Sequence, residues 1–145
     1  MIIENPSRDE ALIRALVGIW EDSVRETHTF LKLEDVIFLR STVVTGIKEV
    51  DTLLVAYKDK VPIGFLGMTR DKIEMLFLSP FCMGVGIGKK LILEAVHNHK
   101  AIYVDVNEQN PHAVKFYRRF GFEVFKRTDS DDMGNPFPIL KMRQV

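Results

Sequence analysis

The chain is poor in cysteine: Cys82 is the only one in 145 residues. No internal disulfide can brace the fold, and the count suits a reducing cytosol. It lacks an excess of either charge, with 20 acidic and 20 basic side chains. Without a global field, nothing draws it to nucleic acid or to a membrane surface. Local pairs such as Lys89-Lys90 and Arg118-Arg119 read as solvated helix faces. No long hydrophobic run is present either. The longest apolar stretch, Met75 to Gly88, is too short to span a bilayer and is interrupted by Ser79, Pro80 and glycines. The opening Met1–Pro6 turns charged and polar at once, unlike a secretory leader. The four histidines (His28, His97, His99, His112) lack ligand spacing with acidic partners, so no metal is expected. Repeats, linkers and low-complexity segments are absent as well. The expectation is a cytoplasmic protein with one domain over residues 1–145, long enough to bury a core unaided.

What is present points to phosphate. A strand-like run, Lys72 to Leu78, enters a Ser79-Pro80 turn. Three alternating glycines follow (Gly84, Gly86, Gly88), then an amphipathic helix with Ile87, Leu91, Ile92, Ala95 and Val96 on its apolar side. A glycine-rich turn lets backbone N–H groups approach an anion, and unpaired amides at a helix N-terminus carry partial positive charge. Two familiar phosphate loops fail on spacing. A dinucleotide fold needs G-x-G-x-x-G, and a P-loop needs Ser or Thr where Lys90 follows Gly88-Lys89. Glycines at this spacing also arise for tight packing, so a second motif is needed to decide.

That motif is Asn110-x-x-Ala113-x-x-Phe116-Tyr117-x-x-x-Gly121-Phe122. Asn110 suits an N-cap, Pro111 the first helical position, and Gly121 a left-handed stop. Taken with Met83-x-x-Gly86-x-Gly88 one helix and one strand earlier, the chain resembles the GNAT superfamily of acetyl-CoA-dependent N-acetyltransferases. Residues 20–31 and 131–140 resemble a small bacterial branch of it. One departure stands out: Met83 occupies the place of the family's usual Arg or Gln, which removes one side-chain contact to pyrophosphate.

The resemblance implies a mixed α/β fold, a twisted and mostly antiparallel sheet of about seven strands with helices on both faces. The strands before the glycine loop and before Asn110 would run parallel and splay apart. Strands are expected at Ile2–Glu4, Leu53–Tyr57, Val61–Thr69, Lys72–Leu78, Ile102–Val106, Phe122–Lys126 and Ile139–Arg143. Helices are expected from a Ser7 cap onward, over Leu33–Val43, from Val85 to about His99, and over Pro111–Phe120. In the implied wedge, acetyl-CoA would lie against Phe77, Leu78, Met83, Gly84, Val85, Gly86, Ile87, Gly88, Lys89, Asn110, Ala113, Phe116 and Tyr117.

Acetyl transfer to an amine needs a neutral nucleophile, a stabilised oxyanion and a protonated or departing thiolate. Tyr117, at the family's Phe-Tyr position, is the implied general acid; a phenol of ordinary pKa near 10 stays protonated. On local sequence alone it reads equally well as an aromatic packing residue. Glu74 and Asp105 are each a carboxylate in an apolar strand and each a candidate base, with Glu74 slightly preferred; a solvated-face carboxylate or a water base is the alternative. Trp20, Thr27, His28 and Phe30 fall where the superfamily binds the acceptor, and Phe137, between Pro136 and Pro138, is a further pocket candidate. The implied acceptor is a primary amine of a small molecule or a protein, and the implied assembly is a monomer or homodimer. The alternative function is a non-catalytic acyl-CoA-binding module.

Overall fold

A computed structural model describes residues 1–27, 32–82 and 86–145. Its elements are β1 (Ile2–Glu4), α1 (Glu10–Thr27), α2 (Leu33–Glu49), β2 (Thr52–Lys58), β3 (Val61–Thr69) and β4 (Lys72–Leu78). A short 3₁₀ turn (Pro80–Cys82) follows, then α3 (Ile87–Asn98), β5 (Tyr103–Asn107), α4 (Pro111–Arg119), β6 (Phe122–Thr128) and β7 (Ile139–Gln144). The strands form a seven-stranded sheet in the order β1-β2-β3-β4-β5-β7-β6. Every pairing is antiparallel except β4 with β5. This is the mixed α/β arrangement that the sequence predicts.

Apart from the end of α2, the boundaries fall within about two residues of the sequence expectation, and two of the differences have a visible cause. The cap of α1 is Asp9, not Ser7: its carboxylate accepts the Leu12 N–H at 2.8 Å, three residues on, as an N-cap does. Helix α2 runs to Glu49, six residues beyond the expected Val43. Its apolar face continues through Val44 to Ile47, which is fully buried. Gly46 does not stop it, because Met75 Cε lies only 2.8 Å from where a Cβ would stand, so the helix there presses onto the sheet.

Helices cover both faces. On one side α1 and α2 pack Leu16, Trp20, Val24 and Ile47 against Leu53, Val55 and Phe65. On the other, α3 and α4 pack Leu91, Ile92, Ala95, Val114 and Tyr117 against Leu54, Leu66, Val104, Val106 and Met142. Period-two alternation along β2 and β3 sorts neighbouring side chains into the two cores. No described helix is long and apolar enough to cross a membrane.

Candidate active site

The site begins where the sheet comes apart. Strands β4 and β5 pair at Lys72↔Tyr103 and Ile73↔Val104 and no further. Yet β4 keeps its other partner as far as Leu78↔Gly64, and β5 keeps β7 as far as Asn107↔Ile139. The gap between Met75–Leu78 and Asp105–Asn107 is therefore a wedge inside a continuous sheet. A β-bulge sits at its apex: Ile73 pairs with Met68 and Met75 with Gly67, which leaves Glu74 as the extra residue. Such an insertion bends its strand, sharpens the twist and re-aims a side chain.

The resulting cleft, about 280 Å³, is lined from both faces of the sheet. Ser23 and Glu26 of α1 reach it from one side, and His112, Ala113, Phe116 and Tyr117 of α4 from the other. Along its walls run Glu74 to Leu78 and Val104 to Asn107. The Phe77 ring is committed to the core, 5.9 Å from that of Phe65.

The helices at the wedge are placed by their first residues. Asn110, a buried polar residue at 8% exposure, caps α4 by accepting the Ala113 N–H at 3.2 Å, and Pro111 follows it. Gly121 ends the turn after α4 with φ +92°, the left-handed conformation its position in the motif requires. Gly86, φ +77°, stands at the N-cap of α3 without a side chain to satisfy the helix. The first helical bond there is Lys90 N–H to the Gly86 carbonyl at 3.1 Å. The amides of Ile87, Gly88 and Lys89 thus have no intrahelical acceptor. A Cβ on Gly88 would lie 3.1 Å from Leu78 Cδ1 and 3.3 Å from Phe116 Cε1, so glycine lets α3 pack closely on both walls without displacing either side chain. An open strand edge leading to positively polarised amides without an intrahelical acceptor fits an extended cofactor ending in phosphates.

Tyr117 lies at 7% exposure with its ring edge-on to Phe116 and Phe122, at 5.3 and 5.6 Å. Burial pushes its phenol well above the ordinary value, so the hydroxyl keeps its proton. The two candidate bases are now distinguishable. Glu74 is exposed at the bulge. Asp105 is half-buried and accepts from Lys72 Nζ at 2.8 Å and Lys141 Nζ at 3.3 Å. Burial works to lower the Lys72 pKa, but the hydrogen bond and charge of Asp105, joined by Glu74 and Asp132, leave it raised.

Of the expected cofactor contacts, Phe77, Leu78, Asn110, Ala113, Phe116 and Tyr117 line the cleft. Gly86, Ile87, Gly88 and Lys89 form the start of α3 beside it. Trp20, expected near the acceptor, is buried at 3% exposure in the α1–α2 core, and neither it nor Phe137 lines the cleft. The Thr27 side chain, His28, Phe30, Met83, Gly84 and Val85 lie outside the described residues. Sequence reasoning missed Ser23 and Glu26. They flank the apolar stripe of α1 at helical spacing from Trp20, a pattern indistinguishable from a solvated edge.

Comparison with known proteins identifies the family. The acetyltransferase (GNAT) domain model matches residues 29–143. The peptidyl-lysine N-acetyltransferase YjaB of Salmonella typhimurium is 35% identical over 127 residues, covering 88% of each chain. Its Escherichia coli counterpart is 35% identical over 130 residues, covering 90% of this chain and 88% of that one. The solution structure of apo YjaB from Escherichia coli superimposes with a TM-score of 0.87 over 100% of this chain and 98% of that one, at 35% identity. The fold is also that of PaiA N-acetyltransferase from Thermoplasma acidophilum, solved with coenzyme A (TM-score 0.68, 23% identity, 97% of this chain and 98% of that one). The chain belongs to the GNAT family and is an acetyl-CoA-dependent N-acetyltransferase.

Proposed function

We propose that the protein acetylates the side-chain amine of lysine within a polypeptide, with Glu74 as base and Tyr117 as acid. The observation that carries this reading is the single cleft lined by both residues: a carboxylate at the bulge and a buried phenol on α4. The YjaB relatives, named as peptidyl-lysine N-acetyltransferases, support the acceptor class.

Acetyl-CoA supplies an activated acetyl thioester. The chain's own groups do the rest. The α3 amides and Gly88 hold the phosphate end, and the β4 edge at Phe77 and Leu78 holds the arm as though it were another strand. An acceptor lysine arrives protonated and must lose a proton before it can attack. Glu74, exposed at the apex, takes that proton directly or through a water, while Tyr117 Oη gives one to the leaving group. Glu26 and Glu74 have no ion-pair partner among the described residues, which favours a cationic acceptor over a neutral or anionic one.

The test is a matched panel: lysine peptides, spermidine, and peptides whose only amine is the N-terminus, each scored by mass spectrometry. Transfer to lysine side chains with the highest kcat/KM supports the proposal. A higher value on spermidine would replace the polypeptide by a small polyamine as acceptor.

A further inference from the structure

Half of one sheet face has no helix over it. Among the described residues, the core beneath α1 and α2 draws its strand members from β2 and β3, with Met75 and Phe77 of β4 packed against it. It takes none from β5, β7 or β6. On those three strands the opposite face is the buried one, where Val104, Val106, Met142 and Phe122 join the core of α3 and α4. Alternation therefore turns Tyr103, Asp105, Lys141 and Arg143 outward on the α1 side, together with their cross-strand neighbours. Asp105 and Asn107 belong to this face and also line the cleft, so the face continues directly from the cleft.

Its outer part carries an ordered aromatic and cationic cluster. Phe125 is the extra residue of a β-bulge on β6, between Val124 paired with Met142 and Lys126 paired with Lys141. The bulge brings its ring to the Tyr103 side, edge-on with centroids 6.0 Å apart. The Arg143 guanidinium lies over the Phe125 ring, 5.1 Å from its centroid. All three side chains are exposed. An arginine stacked on an aromatic face is ordered in advance and keeps its N–H edge for a planar carboxylate. Lys72 and Lys141, nearer the cleft, are both held by Asp105. Arg143 and Lys126 have no ion-pair partner among the described residues, and Glu123 faces Arg143 in register without pairing to it. Unpaired positive charge thus lies on the outer strands, and the unpaired carboxylates Glu26 and Glu74 lie in the cleft.

We infer that this uncovered face docks the acceptor polypeptide beside its reacting lysine, and that Arg143 receives a carboxylate side chain from it. The inference rests on the polypeptide reading of the acceptor. Charge then matches in order along the substrate, with the ammonium toward Glu26 and Glu74 and the carboxylate toward Arg143. Arg143 stands one strand across and two residues along from Asp105, a span of roughly 8 Å at ordinary strand spacings. An extended polypeptide covers that in about two to three residues. The acidic residue therefore belongs about two to four positions from the lysine.

The test compares peptides with one lysine and a single Glu placed at each of those positions, on either side, with their Gln counterparts. At the best position the Glu peptide should exceed the Gln peptide in kcat/KM by roughly three- to tenfold, chiefly through KM. The ratio should shrink as salt rises. Arg143→Glu should invert it and favour a Lys at the same position, a gain that misfolding cannot produce. Phe125→Leu removes the ring that orders the guanidinium and should lower the ratio with the charge still present. Equal values for Glu and Gln in the wild type, or a ratio that Arg143→Glu leaves alone, overturn the inference. A dimer in sedimentation that Arg143→Glu dissociates would also overturn it, by giving the face to a second copy. Peptides acetylated without acidic preference remove this inference and leave the acceptor class standing. Transfer to spermidine and to no peptide removes both.

Discussion

Ile73 and Val104 form the last cross-strand pair between β4 and β5. The next residue on each strand is a carboxylate, Glu74 on one side and Asp105 on the other. Both arise at the same discontinuity, yet they meet different surroundings. Glu74 is the bulged residue, without a partner on β3, and is exposed. Asp105 stays in register with Lys141 on β7 and is bonded by it and by Lys72. Two acids equivalent in the sequence thus become an exposed carboxylate without an ion-pair partner among the described residues and a clamped one.

Tyr117→Phe tests the acid. Only the phenolic oxygen is lost, and the ring contacts with Phe116 and Phe122 survive. The kcat should fall by roughly tenfold to a hundredfold, toward the low end for general acid catalysis because a thiolate is already a good leaving group. The KM for acetyl-CoA should hardly move. A steady-state assay with acetyl-CoA varied at saturating peptide reads both values. An unchanged kcat would return Tyr117 to the role of a packing residue.

The same phenol predicts a pH dependence of stability. Burial raises the folded-state pKa of Tyr117 above its unfolded value near 10. Above pH 10 the unfolded chain releases a proton that the folded chain retains, so stability falls as pH rises. Its contribution is fully present below pH 10. Urea unfolding from pH 8.5 to 11 should show an alkaline decline that is shallower in Tyr117→Phe. Parallel curves for the two proteins would contradict the burial of the hydroxyl.

Much of the fold was legible in the sequence, and the reasons are local. The stretch Asn110-Pro111 to Gly121 carries a cap, a start and a stop within one short helix, and each has a backbone reason to be there. The glycine loop announced the start of α3 in the same way. The choice between Glu74 and Asp105 was not legible. Strand alternation places side chains only where pairing is regular, and the bulge between Gly67 and Met68 breaks the count at Glu74. The lysines that clamp Asp105 lie 33 and 36 residues away in sequence, on two other strands, with no local signal of their convergence. Trp20 misled for a related reason. Its position at the end of the α1 stripe fits a pocket or a core equally, and tertiary packing put it in the core.

Gly86→Ala and Gly88→Ala should separate backbone strain from packing. At Gly86 a Cβ meets nothing within 4 Å, but φ is +77°, so the cost is conformational, about 1 kcal/mol. At Gly88 the added methyl presses on Leu78 and Phe116, both of which line the cleft. Calorimetric titration with acetyl-CoA should therefore show the larger affinity loss for Gly88→Ala. Thermal unfolding should show a drop for Gly86→Ala as well.

Glu26→Gln addresses how the acceptor is recognised. Glu26 lines the cleft from α1 and has no ion-pair partner among the described residues. In the proposed reaction a carboxylate there would attract the lysine ammonium before the proton is lost and take no part in the transfer itself. Neutralising it should raise the KM for lysine peptides about threefold to fivefold, as expected for one exposed charge pair, and leave kcat alone. The increase should shrink as ionic strength rises, because screening weakens the wild-type attraction as well. Peptide acetylation measured at low and at physiological salt provides the check. A fall in kcat with KM unchanged would mean that Glu26 acts on the reacting nitrogen, and would move it from recognition to chemistry.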